Sequence, residues 1–319
     1  MTDLKKYLLE EVVIDHADGH ISRREALHRL TLMGLGATAA GAMLAGCAAE
    51  KPEAAGAPGA TPATTSSAPV ATTTAAPTAT ASAAAAAPGV ATALPTEAIT
   101  FPGPQGRKLQ GTWAAAPKPR GAVLVIHENK GLTDHFRAFP GRFAGAGYSA
   151  LAIDLLSEEG GTAALGEAAN ATAALSKVAP ERFLADLRAG LDELAKRAPG
   201  VKLGAIGFCF GGGMTWRLAA SKDPRLAAAA PFYGPLPDGA DFTGSKAAVL
   251  GVFAEKDARV NASRDAAKAA LEKAGLTHEI VTFPDSDHAF FNDTGPRYAP
   301  DVAAKAWAKV LEWFGRHLG

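Results

Sequence analysis

Apolar residues in the last two thirds of the chain alternate between short continuous runs and longer stretches where they recur every three or four positions. Residues 121–126, 148–153, 201–207, 226–232 and 247–253 are runs of strand length without polar alternation, the mark of strands buried on both faces of a parallel sheet. Residues 277–283 read as the last strand. Two earlier segments, 98–101 and 109–114, flank the turn-rich Pro102-Gly103-Pro104-Gln105-Gly106 and predict an opening hairpin. Helical spacing fills the gaps. Asp134 can cap a helix whose apolar face is Phe136, Phe139 and Phe143, with Pro140 and Gly141 expected to kink or shorten it. Leu184, Leu187, Leu191 and Leu194 form one stripe of a helix over 181–196, and Ala303, Trp307, Val310, Phe314 and Leu318 one stripe of a closing helix. Strands alternating with helices at this spacing predict an α/β fold: a mostly parallel central sheet, helices on both faces and an antiparallel N-terminal edge.

The first third has a different composition. Ser22-Arg23-Arg24-Glu25 precedes an apolar, small-residue run over 30–46, which ends Leu44-Ala45-Gly46-Cys47. The paired arginines resemble a twin-arginine export signal, and the last four residues resemble a bacterial lipobox that would make Cys47 the lipidated first residue of the mature protein. An uncleaved transmembrane anchor is the competing reading, but the run is at the short limit for the ~20 residues a span needs and is rich in Gly and Ala. Residues 48–94 are almost entirely Ala, Thr, Pro, Ser and Gly, too poor in apolar mass to offset ordering entropy, and predict a disordered tether. The chain therefore divides into a signal at 1–47, a tether at 48–94 and one folded domain at 95–319. The expected location is outside the cytoplasmic membrane, periplasmic or on the cell envelope. The 32 basic and 32 acidic residues balance, so nothing in the charge suggests a nucleic-acid partner.

The chemistry centres on Gly207-Phe208-Cys209-Phe210-Gly211-Gly212, between an apolar run and a helix-opening glycine cluster. A strand that turns sharply into a helix around one nucleophile needs glycines two positions to either side, where a side chain would strike a neighbouring strand or helix. The residue between them is presented at a helix N-terminus, whose partial positive charge favours a thiolate and whose N–H groups suit an oxyanion. A phosphate-binding turn is the wrong spacing. A buried structural cysteine is the stronger alternative. With Cys47 lipidated, Cys209 has no disulfide partner, and a lone thiol in an oxidising compartment is a liability unless buried or used.

In the α/β-hydrolase layout an acid and a histidine follow the nucleophile, each just past a strand's C-terminal end. Asp257 and His288 hold those places, with Asp285 and Asp287 as rival acids. His127, at the end of the 121–126 strand, is the rival histidine, although it precedes the nucleophile and suits a packed or loop-stabilising role better.

Four motifs in order, His-Glu-Asn-Lys-Gly-Leu at 127–132, Asp-Leu-Leu-Ser at 154–157, Gly-Phe-Cys-Phe-Gly-Gly at 207–212 and Asp-His-Ala-Phe-Phe-Asn-Asp at 287–293, resemble the dienelactone hydrolase (carboxymethylenebutenolidase) family. The resemblance covers essentially the whole folded domain. It implies an α/β-hydrolase with a Cys209, Asp257, His288 triad, with Glu128 interacting with the thiol and implicated in its activation. It also implies an oxyanion hole from the backbone N–H groups of Phe210 and Asn129.

The expected function is thus cysteine-nucleophile hydrolysis of a small carboxylic ester or lactone, with the membrane reached through a lipid at Cys47 and no metal or organic cofactor. A broader esterase or thioesterase on the same triad and a catalytically silent surface-tethered binding module are the alternatives. The family holds its anionic substrate with two arginines. The corresponding positions here are Glu158 and Asn292, with Arg297 near by, which predicts a pocket that disfavours anionic lactones.

Overall fold

The structure is a computed structural model and describes residues 1–46 and 87–319. Eight strands form one sheet: β1 (Glu97–Pro102), β2 (Lys108–Ala114), β3 (Gly121–Ile126), β4 (Tyr148–Asp154), β5 (Leu203–Phe208), β6 (Leu226–Phe232), β7 (Ala248–Ala254) and β8 (His278–Phe283). Their spatial order is β1-β2-β4-β3-β5-β6-β7-β8. β2 runs antiparallel to both neighbours, and every pair from β4 to β8 is parallel. The apolar runs are continuous because β3, β4, β5 and β7 are buried along their whole length.

Helices cover both faces. Phe143 of α4 (Asp134–Gly145) meets Trp307 and Phe314 of α10 (Pro300–His317), which places these two helices on one face. On the other, α6 (Pro180–Arg197) lies beside α7 (Phe210–Ala220), and Gly190 of α6 lets Leu124 and Ile153 approach. α5 (Ala168–Leu175), α8 (Ala258–Asn261) and α9 (Arg264–Lys273) complete the domain.

Two expectations need correction. α4 continues through Pro140 and Gly141 to Gly145, so these residues do not shorten it. Gly141 serves a close approach instead: a Cβ there would lie 2.3 Å from the Leu94 carbonyl oxygen, and Leu94 N–H donates to the Gly141 carbonyl. The second correction follows from that contact, since residues 87–94 lie against α4 and the folded domain begins before 95. The rest of the predicted tether, and Cys47, fall outside the described residues.

The N-terminal segment, read above as an export signal, forms α1 (Asp3–Ala17), α2 (Arg23–Leu32) and α3 (Ala37–Gly46). Thr2 and Ser22 cap the first two, each side chain accepting a hydrogen bond from the N–H three residues on. Leu4, Leu8 and Val12, one turn apart, are buried along α1, and α2 packs on α5. Among the described residues no helix is long and apolar enough to cross a membrane.

Candidate active site

β5 ends at Phe208 and α7 begins at Phe210, so Cys209 takes the whole turn by itself, at φ 55° and ψ −117°. A non-glycine residue held there is strained by roughly 1–3 kcal/mol, and persists only because its surroundings fix it. The flanking glycines supply that fixity. A Cβ on Gly207 would lie 2.1 Å from the Gly211 carbonyl oxygen, and one on Gly211 2.4 Å from that of Ile126. Phe210, the first residue of α7, has an N–H with no intrahelical acceptor, and buried Asn129 sits on the loop after β3.

The carboxylate of Asp257 is divided between two jobs. Oδ1 accepts from Val260 N–H at 3.2 Å and caps α8, which aims Oδ2 at His288 Nδ1, 2.5 Å away. Of the rival acids, Asp287 turns Oδ1 back onto its neighbour's backbone N–H, and Asp285 accompanies Lys256 at the surface. His127 is used up. Its Nε2 accepts from Leu155 N–H at 3.1 Å, leaving Nδ1 to donate to the Glu128 carbonyl at 2.7 Å. Burial keeps this ring neutral by lowering its pKa, with the Asp154 charge acting in the opposite direction.

Glu128 is buried in a fixed orientation, accepting from Tyr233 O–H at 3.2 Å and from Asn292 Nδ2–H at 2.8 Å. Asn292 therefore orients Glu128, which corrects its expected place at the substrate. Glu158 is corrected likewise: it is half exposed and neutralised by Arg107 at 2.9 Å and Arg182 at 2.8 Å. The repulsion expected of it has no free charge behind it. Arg297 is committed to Asp15 at 3.0 Å and Asp18 at 2.9 Å. The Asp-Leu-Leu-Ser motif is a loop brace, with Asp154 accepting from Leu156 N–H and from both N–H and O–H of Thr162.

Sequence reasoning missed what closes this site, which is α1. Tyr7 O–H lies 3.2 Å from Cys209 Sγ, and Glu11 Oε1 lies 3.5 Å from His288 Nε2, a ring nitrogen with no hydrogen-bond partner. Arg259 joins them, pairing with Glu11, donating to the Tyr7 carbonyl at 3.2 Å and stacking 4.1 Å above the Tyr7 ring. Glu11, Cys209 and His288 each bring a ligating atom within 4.8 Å of the others, a donor set suited to a divalent cation, but Arg259 already holds the Glu11 carboxylate. Tyr233, whose ring stands edge-on 5.2 Å from the imidazole, was also missed.

These charges set the titration behaviour. Burial raises the Cys209 pKa and Glu11 raises it further, while His288 opposes both. For His288 burial favours the neutral ring, but Glu11, Asp257 and Cys209 outweigh it and hold the pKa well above the usual imidazole value. Removing the Glu11 charge removes a repulsion on the thiolate, so Glu11→Gln should lower the thiol pKa. The rate of Cys209 alkylation against pH is the measurement, and its rising limb should move to lower pH. An unmoved limb would show that the Glu11 charge does not act on the thiol.

Known proteins share this arrangement of elements. Residues 109–318 match the family model described as the dienelactone hydrolase family. A relative from Escherichia coli (strain K12), provisionally named a carboxymethylenebutenolidase, is 30% identical over 241 residues, covering 72% of this chain and 87% of its own. A solved structure from Klebsiella pneumoniae subsp. pneumoniae, provisionally named a dienelactone hydrolase, is 30% identical with a TM-score of 0.61, over 70% of this chain and 100% of that one. The dienelactone hydrolase of Anabaena variabilis, at 21% identity and a TM-score of 0.57 over 70% of this chain and 99% of its own, shows the fold. The chain belongs to the dienelactone hydrolase family, and with it to the carboxylic ester hydrolases of the α/β-hydrolase superfamily.

Proposed function

We propose that this chain hydrolyses a small carboxylic ester or lactone with Cys209 as its nucleophile, and that it does so outside the cytoplasmic membrane on a lipid at Cys47. The observation that carries the catalytic part is the strained turn at Cys209 beside an imidazole whose other nitrogen is fixed by Asp257. His288 Nε2 takes the thiol proton as Sγ attacks the carbonyl carbon. The oxyanion that forms is met by the N–H groups of Phe210 and Asn129. The C–O bond to the leaving group then breaks, His288 returns the proton to the alkoxide, and a thioester remains on Cys209. Water, deprotonated by the same imidazole, attacks the thioester; the thiolate leaves and is reprotonated. For a lactone the leaving alkoxide stays on the acyl chain, so the product is a single hydroxy acid.

Glu128 is held by Tyr233 and Asn292 on the side from which its charge raises the Cys209 pKa, after the larger effects of burial and Glu11. In this closed arrangement its charge thus favours the protonated thiol, the opposite of the activating role the family resemblance implies. The twin-arginine and lipobox patterns support the export reading.

A panel of aryl esters and lactones given to the purified chain and to Asp15→Lys/Asp18→Lys, in which the α1 end loses its pairing with Arg297, tests the chemistry, and turnover of at least one compound by the variant is expected. No turnover by either protein, with Cys209 accessible to alkylation in the variant, would overturn the hydrolase reading. The anchor is tested separately: Cys47→Ser should move the protein to the soluble fraction, and unchanged processing and membrane association would rule out the lipobox.

A further inference from the structure

Helix α1 touches both atoms on which the proposed chemistry depends. Its Tyr7 phenol meets the Cys209 sulfur at 3.2 Å, and its Glu11 carboxylate faces the free nitrogen of His288 at 3.5 Å. A substrate carbonyl carbon would have to approach Sγ through the space the phenol fills, and a proton would have to leave toward a nitrogen that Glu11 faces. With α1 seated, Cys209 is 2% exposed and His288 5%.

The fit is also one of charge. Four acids of α1 and the turn after it meet three arginines from separate parts of the domain: Asp3 pairs with Arg217 of α7, Glu11 with Arg259 of α8, and Asp15 and Asp18 with Arg297. Packing of a purely structural helix needs none of these to converge on a nucleophile.

We propose that α1 is an intramolecular inhibitor of the Cys209 site: the cleft is a binding site for this acidic helix, and the chain is latent while the helix is seated. The inference rests on the hydrolase reading above for what is inhibited, and on α1 alone for how. Along the chain, α1 is joined to the domain it covers through residues 18–86. A tethered segment acts at an effective concentration in the millimolar range, and a cut in the tether leaves only the bimolecular affinity. Cleavage ahead of Cys47, the site the lipobox reading gives, falls on that link. Removal of the leader would then also be the activating step, and a hydrolase folded before export would stay closed to esters on the side where it is made.

The test uses the full chain and the pair of acids that meets Arg297, neither of which contacts Cys209 or His288. Asp15→Lys/Asp18→Lys repels Arg297 and should unseat α1. Two readouts follow, the rate of iodoacetamide labelling at Cys209 by peptide mass spectrometry, and kcat/KM on the best ester or lactone of the panel. Both should rise by about 10-fold or more, the range a modest shift between covered and open populations gives. Adding Arg297→Glu to this variant restores opposite charges and should return labelling to the slow rate, a reversal that general loosening of the fold would not produce. Tyr7→Ala, which vacates the space over Sγ, gives an independent route to faster labelling should the lysine variant fold poorly. Wild-type labelling as fast as that of the folded lysine variant and of Tyr7→Ala would overturn the inhibitor. Faster labelling without turnover in any variant would keep the inhibitor and remove the hydrolase reading, whereas equal labelling with equal turnover would do the reverse.

Discussion

Cys209→Ala should lower ester hydrolysis by about 10⁴-fold or more, the scale on which loss of a covalent nucleophile is felt when its base and oxyanion donors remain. The measurement belongs in the Asp15→Lys/Asp18→Lys background, where the cleft is expected to be open, so that latency does not hide the effect. Stability should change little. The sulfur is small, alanine accepts the same neighbours, and relief of nothing at φ 55° is gained because alanine also carries a Cβ. His288→Ala should cost a similar factor, and the double variant little more than either alone, because thiol and imidazole transfer one proton between them. Additive losses would mean that the two side chains contribute to separate steps. Full turnover by Cys209→Ala, together with a native thiol that resists alkylation even in the opened chain, would return Cys209 to the status of a buried structural residue.

The elements that position the site were legible because their signals are local. A strand buried on both faces must be apolar throughout, so β3 and β6 were bounded to the residue, and the other strands to within one or two. Gly207 and Gly211 flank Cys209 because main-chain oxygens lie within 2.1–2.4 Å of where a Cβ would stand, a constraint written in the sequence itself. Chain order after Cys209 brought Asp257 and His288 to the same edge. The failures share a different cause. Nothing near Glu158 in sequence announces Arg107 and Arg182, nor does anything near Asn292 announce Glu128, so both were assigned to substrate by position alone. The contacts of α1 span more than 200 residues of chain, from Tyr7 to Cys209 and from Glu11 to Arg259, and no periodicity records them. The one available trace was Leu4, Leu8 and Val12, a buried helical stripe in a segment that an export signal alone does not require. Composition also misplaced the domain start, since residues 87–94 are mostly small, like the stretch before them, yet held by backbone contacts to α4 that depend on Gly141.

Asp257→Asn separates an orienting acid from a mere neighbour of the histidine. In the native site Oδ1 is occupied by Val260 N–H, so Oδ2 alone faces His288 Nδ1 and requires that nitrogen to carry the proton. Nε2 is then the basic nitrogen, on the side of Cys209. An asparagine keeps its carbonyl oxygen on Val260 N–H, because the amide N–H group cannot accept that bond, and therefore presents a donor to Nδ1. The ring must answer with a lone pair at Nδ1 and a proton at Nε2, the tautomer that cannot accept from the thiol. The loss should be about 10³–10⁴-fold in kcat, as expected when an intact triad geometry holds the wrong tautomer. The thermal midpoint and the α8 cap should be preserved, since both hydrogen bonds to the carboxamide are still made. The His288 pKa should fall, because the Asp257 charge that helps to hold it up is gone. The control is Asp287→Asn, whose side chain reaches only the backbone N–H of His288 and should leave kcat within about threefold, the scale of losing one partly exposed hydrogen bond. Comparable losses at Asp257 and Asp287, or a larger one at Asp287, would assign the orienting role to the wrong aspartate here and require Nδ1 to turn away from α8 in the working enzyme.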